Sequence, residues 1–200
     1  LILIPKGWTN NNLGNSKDAW AWFKRNYPSL SNYLEPFQKK CIQRYDQGDY
    51  WWELRGCNYY NAFEKPKIFY SEIAIRGQFS LDLNNSFYFD ATAYIISSNS
   101  EYLLGLLNSK LFTYYISQVS SEIRGNFLRW KRQYLLPSPI KELDAKDSRF
   151  KRISSLVNQM LELNRNLTKA IIPIEIHHLQ RQIDATDAEI DRLVYELYGL

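Results

Sequence analysis

Cysteine, histidine and methionine are nearly absent from this 200-residue chain, which has two, two and one of them. Cys41 and Cys57 are too few for a disulfide framework and form no CxxC pair, and His177 and His178 are adjacent rather than spaced as metal ligands. A zinc site is not expected, and a reducing compartment, the cytoplasm, is. Long apolar runs are missing too: Ala170 to Pro173 is typical, far below the roughly 18 residues of a membrane span. No secretory leader opens the chain, so no membrane partner is expected. The sequence begins Leu1-Ile2-Leu3-Ile4-Pro5 and its single methionine is Met160, which reads as a piece excised from a longer polypeptide.

Catalytic motifs are equally scarce. There is no GxxxxGK[ST], no GxGxxG and no HExxH, and no nucleophile stands beside a recognisable base. Nuclease-like spacings can be forced from Glu64 with Lys67 or Glu101 with Lys110, but such matches are common by chance. The expectation is a chain with neither catalytic residues nor a bound cofactor of its own.

What the sequence has in quantity is aromatic side chains: 31, of which 28 precede residue 141. They suit both burial and stacking on flat partners such as nucleobases. The net charge is +4, and the excess is confined to the same part: residues 1–140 carry +5 and residues 141–200 carry −1. Both changes fall near Pro137-Ser138-Pro139, which predicts a domain over 1–145 followed by a segment over 146–200.

The first part reads as α+β, a mixed, partly antiparallel sheet with packed helices. Leu30 to Arg44 is predicted helical, with Leu34, Phe37, Cys41 and Ile42 on one side. Lys67 to Tyr70, Gln78 to Leu83 and Ala93 to Ser97 have the β-branched and aromatic content of strands. Ser100 opens a second helix with Leu103, Leu104, Leu107, Leu111, Tyr114 and Tyr115 along one side, leading out near Gln118 to Arg124. Beyond the boundary, heptad-spaced apolar residues (Ile153, Met160 and Leu167; Ile176, Ile183, Ile190 and Leu197) predict two long helices broken at Pro173. They pair either with each other as an antiparallel hairpin or with another partner, including a second copy of the chain.

The segment Ser120 to Tyr134 interleaves four cations and one anion with three aromatics. Arg124, Asn126, Arg129, Lys131 and Arg132 suit DNA, because arginine can bond a guanine edge bidentately, lysine meets phosphate as a point charge, and an amide reads base edges. The other reading of the segment is a strand with Phe127, Leu128 and Tyr134 facing the core and its cations solvated. In Tyr50-Trp51-Trp52-Glu53-Leu54-Arg55, adjacent tryptophans in a strand would face opposite sides, so at most one is core. Arg55 pairs with Glu53 or Asp49, or faces a phosphate. With Lys67 and Arg76 it is a candidate backbone or secondary contact, the competing reading of these cations being ordinary solvated charge.

With these residues in view, the sequence resembles the TaqI-like C-terminal specificity domain, the target recognition domain of fused restriction-modification enzymes of the Eco57I and type IIG kind. The resemblance rests on Tyr27-Pro28-Ser29-Leu30, Leu34-Glu35-Pro36-Phe37, Arg44 to Gly48, Tyr50 to Arg55 and Pro66-Lys67-Ile68-Phe69-Tyr70-Ser71-Glu72-Ile73. It continues through Tyr102 to Leu111, the basic segment and Pro137 to Ile140, and the helical ending Gln182 to Leu200 is similar to that of the same enzymes. The resemblance implies recognition of double-stranded DNA. It also implies a parent that methylates adenine with S-adenosylmethionine and cleaves DNA with Mg²⁺, and terminal helices that dock on the methyltransferase domain of the same polypeptide. The Asn-Pro-Pro-Tyr-type motif of the methyltransferase is absent. A structural module that docks on the methyltransferase and touches DNA little, and an enzyme with an unrecognised site, are the competing expectations.

Overall fold

The computed structural model describes residues 2–89, 92–123 and 125–200, which fall into two units, Leu1–Glu64 and Lys65–Leu200, each with its own core. The first unit is built on rings. Its helices are α1 (Trp8–Asn12), α2 (Ala19–Asn26), α3 (Pro28–Leu34), α4 (Gln38–Ile42) and α5 (Tyr60–Phe63), and Phe23 and Trp52 are buried among Trp8, Trp20, Tyr27 and Tyr50. Asp18 starts α2 by accepting from the Ala21 N–H at 2.9 Å, and Pro28, which has no N–H to satisfy, starts α3. The single helix predicted over Leu30 to Arg44 is instead α3, a 3-10 turn (Glu35–Phe37) and α4. Pro36 cannot donate within the run, and the chain tightens around it. The expected apolar stripe is displaced as a result, and Phe37 and Ile42 are exposed.

Trp51 and Trp52 lie in a turn, not a strand. The turn is organised by the carboxylate of Glu53, which is fully buried and accepts from the N–H groups of Gly7, Thr9 and Asp49 at 3.2, 2.8 and 2.8 Å. A Cβ on Gly48 would lie 2.4 Å from the Glu53 Cβ, so only glycine fits there. Trp52 is buried and stacks on Tyr50 and Phe23, while Trp51 stands at 90° to it and is half-buried.

The second unit holds two small sheets. β1 (Lys67–Ser71) lies between β3 (Ser80–Asp82) and β4 (Ala93–Ile96), with Lys67 opposite Asp82 and Tyr70 opposite Tyr94. β6 (Phe127–Arg129) lies between β2 (Ile73–Ala74) and β5 (Glu122–Ile123). A mixed sheet is expected from the sequence, whereas every pairing among the described residues is antiparallel. For β5 and β6 the connection explains this: only three residues separate them, and a parallel neighbour would need a crossover of a dozen residues or more.

Ser100 caps α6 (Glu101–Asn108) as its sequence predicts, its Oγ accepting from the Leu103 N–H at 3.1 Å. The helix then breaks. The Ser109 hydroxyl donates to the Leu106 carbonyl at 2.7 Å and accepts from the Phe112 N–H, so it ends α6 and caps α7 (Lys110–Val119). The break resets the helical phase: α7 buries Phe112 and Ile116, and Tyr114 is exposed. After α8 (Arg132–Leu135), the long helices α9 (Ser148–Leu167) and α10 (Pro173–Tyr198) run antiparallel, the Arg152–Glu189 pair joining the start of one to the end of the other. Pro173 takes the first position of α10. Gly105 in α6 lets α9 approach: a Cβ there would lie 2.9 Å from a Val157 methyl and 3.0 Å from an Ile153 methyl. Asp191 of α10 accepts from the Lys110 N–H at 2.8 Å and lies 3.0 Å from its Nζ, tying α10 to the start of α7. The fold is α+β, with helices and sheets of this unit sharing one core around Trp130, Ile68, Ile116 and Val194.

Candidate nucleic-acid interface

The period-two alternation of a strand sorts the side chains of the basic segment. β6 pairs with β5 (Glu122 opposite Leu128, Ile123 opposite Phe127) and with β2 (Ile73 opposite Arg129, Ala74 opposite Leu128). Leu128 and Trp130 enter the core. Trp130 is 1% exposed, its indole N–H donating to the Ala74 carbonyl at 3.0 Å and its backbone N–H to the Glu72 carbonyl at 2.7 Å. Arg129 and Lys131 alternate with these anchors, and their side chains keep 38% and 37% exposure. The two sequence readings therefore meet: the segment is a strand with core residues, and its cations stand at the surface.

Around them the polar groups are few and specific. Glu72, in the one-residue link between β1 and β2, presents Oε1 at 3.4 Å from both the Arg129 Nη1 and the Lys131 Nζ. Its Oε2 accepts from the Tyr94 hydroxyl at 3.3 Å. Burial, and then the neighbouring Glu72 charge and hydrogen bond, raise the Tyr94 phenol above its ordinary pKa, so it stays a donor. Arg132 is exposed at the start of α8 and, among the described residues, makes no ion pair. Beside it a cavity of about 290 Å³ is lined by Tyr70, Tyr94, Ile96, Leu135 and Leu136.

The turn from β5 to β6 carries Asn126, exposed and left-handed at φ 61°, next to Gly125 at φ 91°. Asparagine tolerates that conformation better than most side chains, and it leaves the amide at the hairpin tip. Arg124 lies outside the described residues.

The remaining candidates are placed elsewhere. Arg55 belongs to the first unit, is exposed, and lies 3.7 Å from Asp46 rather than beside Glu53 or Asp49. Arg76 is exposed in the turn after β2, and its charge acts on Asp187 of α10. Lys67 is a correction: as a phosphate contact it would need solvent, but its side chain is 0% exposed and its Nζ meets the Asp82 carboxylate at 2.7 Å. The cross-strand register produces this burial by placing Asp82 opposite Lys67. Asp82 also accepts from the N–H groups of Asn84, Ser86 and Phe87, at 3.2, 3.1 and 3.0 Å. Burial pushes its carboxyl up, but the Lys67 and backbone hydrogen bonds outweigh that and hold it at about 2.

Residues 15–140 match the model of the TaqI-like C-terminal specificity domain. The chain belongs to that family. No curated protein matches it. The specificity-domain match takes in the β5–β6 hairpin, Glu72 and Arg129 to Arg132, and it ends before α9. Membership points to recognition of DNA sequence within restriction-modification systems. Among the described residues no helix is long and apolar enough to cross a membrane, and no three His, Cys, Asp or Glu side chains cluster to hold a metal ion.

Sequence reasoning missed Glu72 and Tyr94 as members of this patch. Glu72 lies far from Arg129 and Lys131 in the chain and meets them only through the β2–β6 pairing, for which short strands give no local signal.

Proposed function

We propose that this chain reads a sequence in double-stranded DNA, as the recognition part of a fused type II restriction endonuclease and adenine-specific DNA methyltransferase. One observation carries the reading. In a member of a specificity-domain family, Leu128 and Trp130 anchor a strand whose alternate residues, Arg129 and Lys131, stand at the surface between an exposed asparagine and an exposed arginine. Phosphate contacts from Lys131 and Arg132 would set the register on the duplex, and Asn126 and Arg129 would reach base edges in the major groove, with Arg124 a candidate on its chemistry alone. Arg55 and Arg76 remain candidate backbone contacts.

S-adenosylmethionine and Mg²⁺ would belong to the other parts of such an enzyme. This chain lacks an Asn-Pro-Pro-Tyr-type motif, and among its described residues no three His, Cys, Asp or Glu side chains cluster. The cytoplasm, where the chromosome of a restricting cell is exposed, is the compartment this reading requires.

The test is selection from a pool of random 30-bp duplexes, followed by titration of the selected and an unrelated duplex at several salt concentrations. A recognition module enriches one sequence and binds it more weakly as salt rises. A folded chain that enriches nothing, and binds all duplexes weakly even at low salt, would refute the reading.

A second reading, docking on the methyltransferase domain with little DNA contact, is favoured by the joint between α9 and α10. Ile171 and Ile174 are 87% and 83% exposed there, and Ile172 is exposed beside them. Coprecipitation with the methyltransferase domain, unaffected when Ile171 and Ile174 are changed to Ser, would count against it. Sedimentation of the same variants would show whether a second copy uses this surface instead.

A further inference from the structure

The carboxylate of Glu72 is out of place in a surface built to attract phosphate. Its Oε1 lies 3.4 Å from each of the two surface cations of the strand, and its side chain is only 19% exposed. It is also held fast. The Glu72 N–H donates to the Thr92 carbonyl at 2.9 Å, its carbonyl accepts from the Trp130 N–H at 2.7 Å, and its Oε2 accepts from the Tyr94 hydroxyl at 3.3 Å. Arg129 and Lys131, by contrast, end long side chains that can swing away. The three groups together carry one positive charge instead of two. A phosphate approaching the patch meets a fixed negative charge behind the cations, and it gains their full attraction only when they leave Glu72.

We propose that Glu72 acts as an electrostatic gate, a positioning residue that withholds Arg129 and Lys131 from DNA unless base contacts compensate for releasing them. The inference rests on the duplex-recognition reading and deepens it. The cost of releasing the cations is subtracted from the binding free energy of every duplex that uses them, so the gate weakens binding throughout and leaves an unrelated duplex with little affinity. A carboxylate that merely oriented the two cations would do the opposite, and its removal would weaken binding to the selected site.

The variant is Glu72→Gln, which keeps the size of the side chain and an acceptor for Tyr94 while removing the charge. Affinity of the full chain for the selected and the unrelated 30-bp duplex is measured across a salt series. Two partly exposed ion pairs no longer have to be broken, so binding to the unrelated duplex should tighten by about 2- to 30-fold. Its salt slope should steepen by about one phosphate equivalent, and the selected duplex should tighten as well. Glu162→Gln on α9 makes the same change in net charge within an exposed helical pair, and should move neither quantity comparably. If Glu72→Gln does not fold, Glu72→Asp, which keeps the charge but draws it back from the cations, should give a smaller rise of the same sign. Unchanged or weaker binding to the unrelated duplex by the folded variant overturns the gate while leaving recognition intact. Absence of sequence-dependent binding by the unmodified chain overturns both.

Discussion

Replacing Lys67 by Met separates a structural cation from a DNA-binding one. Lys67 and Asp82 are 0% and 2% exposed and 2.7 Å apart, so the methionine would fill a similar volume and leave a carboxylate buried without its counter-charge. Removing one member of a buried pair costs about 3–5 kcal/mol. The lower end, about 3 kcal/mol, is expected because Asp82 keeps its bonds to the Asn84, Ser86 and Phe87 N–H groups. That loss should lower the melting temperature of the second unit by roughly 10 °C. The probe must be chosen with care: five of the six tryptophans lie in the first unit, so total fluorescence would follow the wrong transition. Far-ultraviolet circular dichroism follows α6 to α10 instead, and urea titration at neutral pH gives the free energy. At a temperature where both proteins are folded, the variant should bind the selected duplex with an unchanged salt slope. A stability loss below about 1 kcal/mol, or a slope reduced by about one phosphate equivalent, would refute the assignment of Lys67 to the interior.

Arg129→Ala should lose about 1–3 kcal/mol on the selected duplex and much less on an unrelated one, whereas Arg132→Ala should weaken both alike and reduce the salt slope by about 1, as read by fluorescence anisotropy. The Asp82 carboxyl is held at about 2 against an ordinary 3.8, so the folded chain binds fewer protons than the unfolded chain between these values. Its contribution is complete above about pH 4 and is lost as pH falls from 4 towards 2. Asp147, held at about 2 chiefly by its Arg149 hydrogen bond, acts in the same direction, so acid unfolding followed by circular dichroism should begin in that window and move to higher pH in Asp82→Asn. Gly105→Leu places a branched side chain where even a Cβ would meet Val157 and Ile153 at 2.9 and 3.0 Å. Overpacking of about 1–3 kcal/mol, or more, should exceed the gain of up to about 1 kcal/mol from helix propensity, and urea unfolding should show a net loss.

The elements legible in the sequence are those whose signals are local. The strands at 67–71, 80–82 and 93–96 follow from β-branched and aromatic runs, the start of α6 from the Ser100 cap, and the two long helices from heptads that stop at Pro173. Ser109 misleads because its neighbours continue the apolar period of α6, and only its hydroxyl, bonded to both Leu106 and Phe112, shows the break. Lys67 misleads for a different reason. Nothing within its own strand distinguishes a buried cation from a solvated one, and the partner that buries it comes from β3. The basic segment lies between these cases: its charges and its strand period are visible, but the burial of Trp130 and the grip of Glu72 depend on pairings between distant residues.

The fate of the aromatic residues bears on what kind of nucleic acid the patch suits. Their abundance is compatible with stacking on unpaired bases, but none of the six tryptophans is exposed, and Trp130, the one nearest the cations, is a core anchor. A strand that read single-stranded nucleic acid would turn such rings outward as platforms, since stacking supplies about 1–3 kcal/mol per base. Here β6 and the residues that follow it turn the Trp130 indole inward and leave guanidinium, ammonium and, at the hairpin tip, an amide at the surface. Of these groups only the guanidinium stacks on an unpaired base, whereas all three suit the phosphates and the groove edges of a paired duplex. Within β6 itself Phe127 is the exposed ring, 37% exposed beside Asn126, where one ring at a tip can lie against a groove wall but cannot provide a track for successive bases. The distribution of rings and charges therefore favours the double helix as the partner.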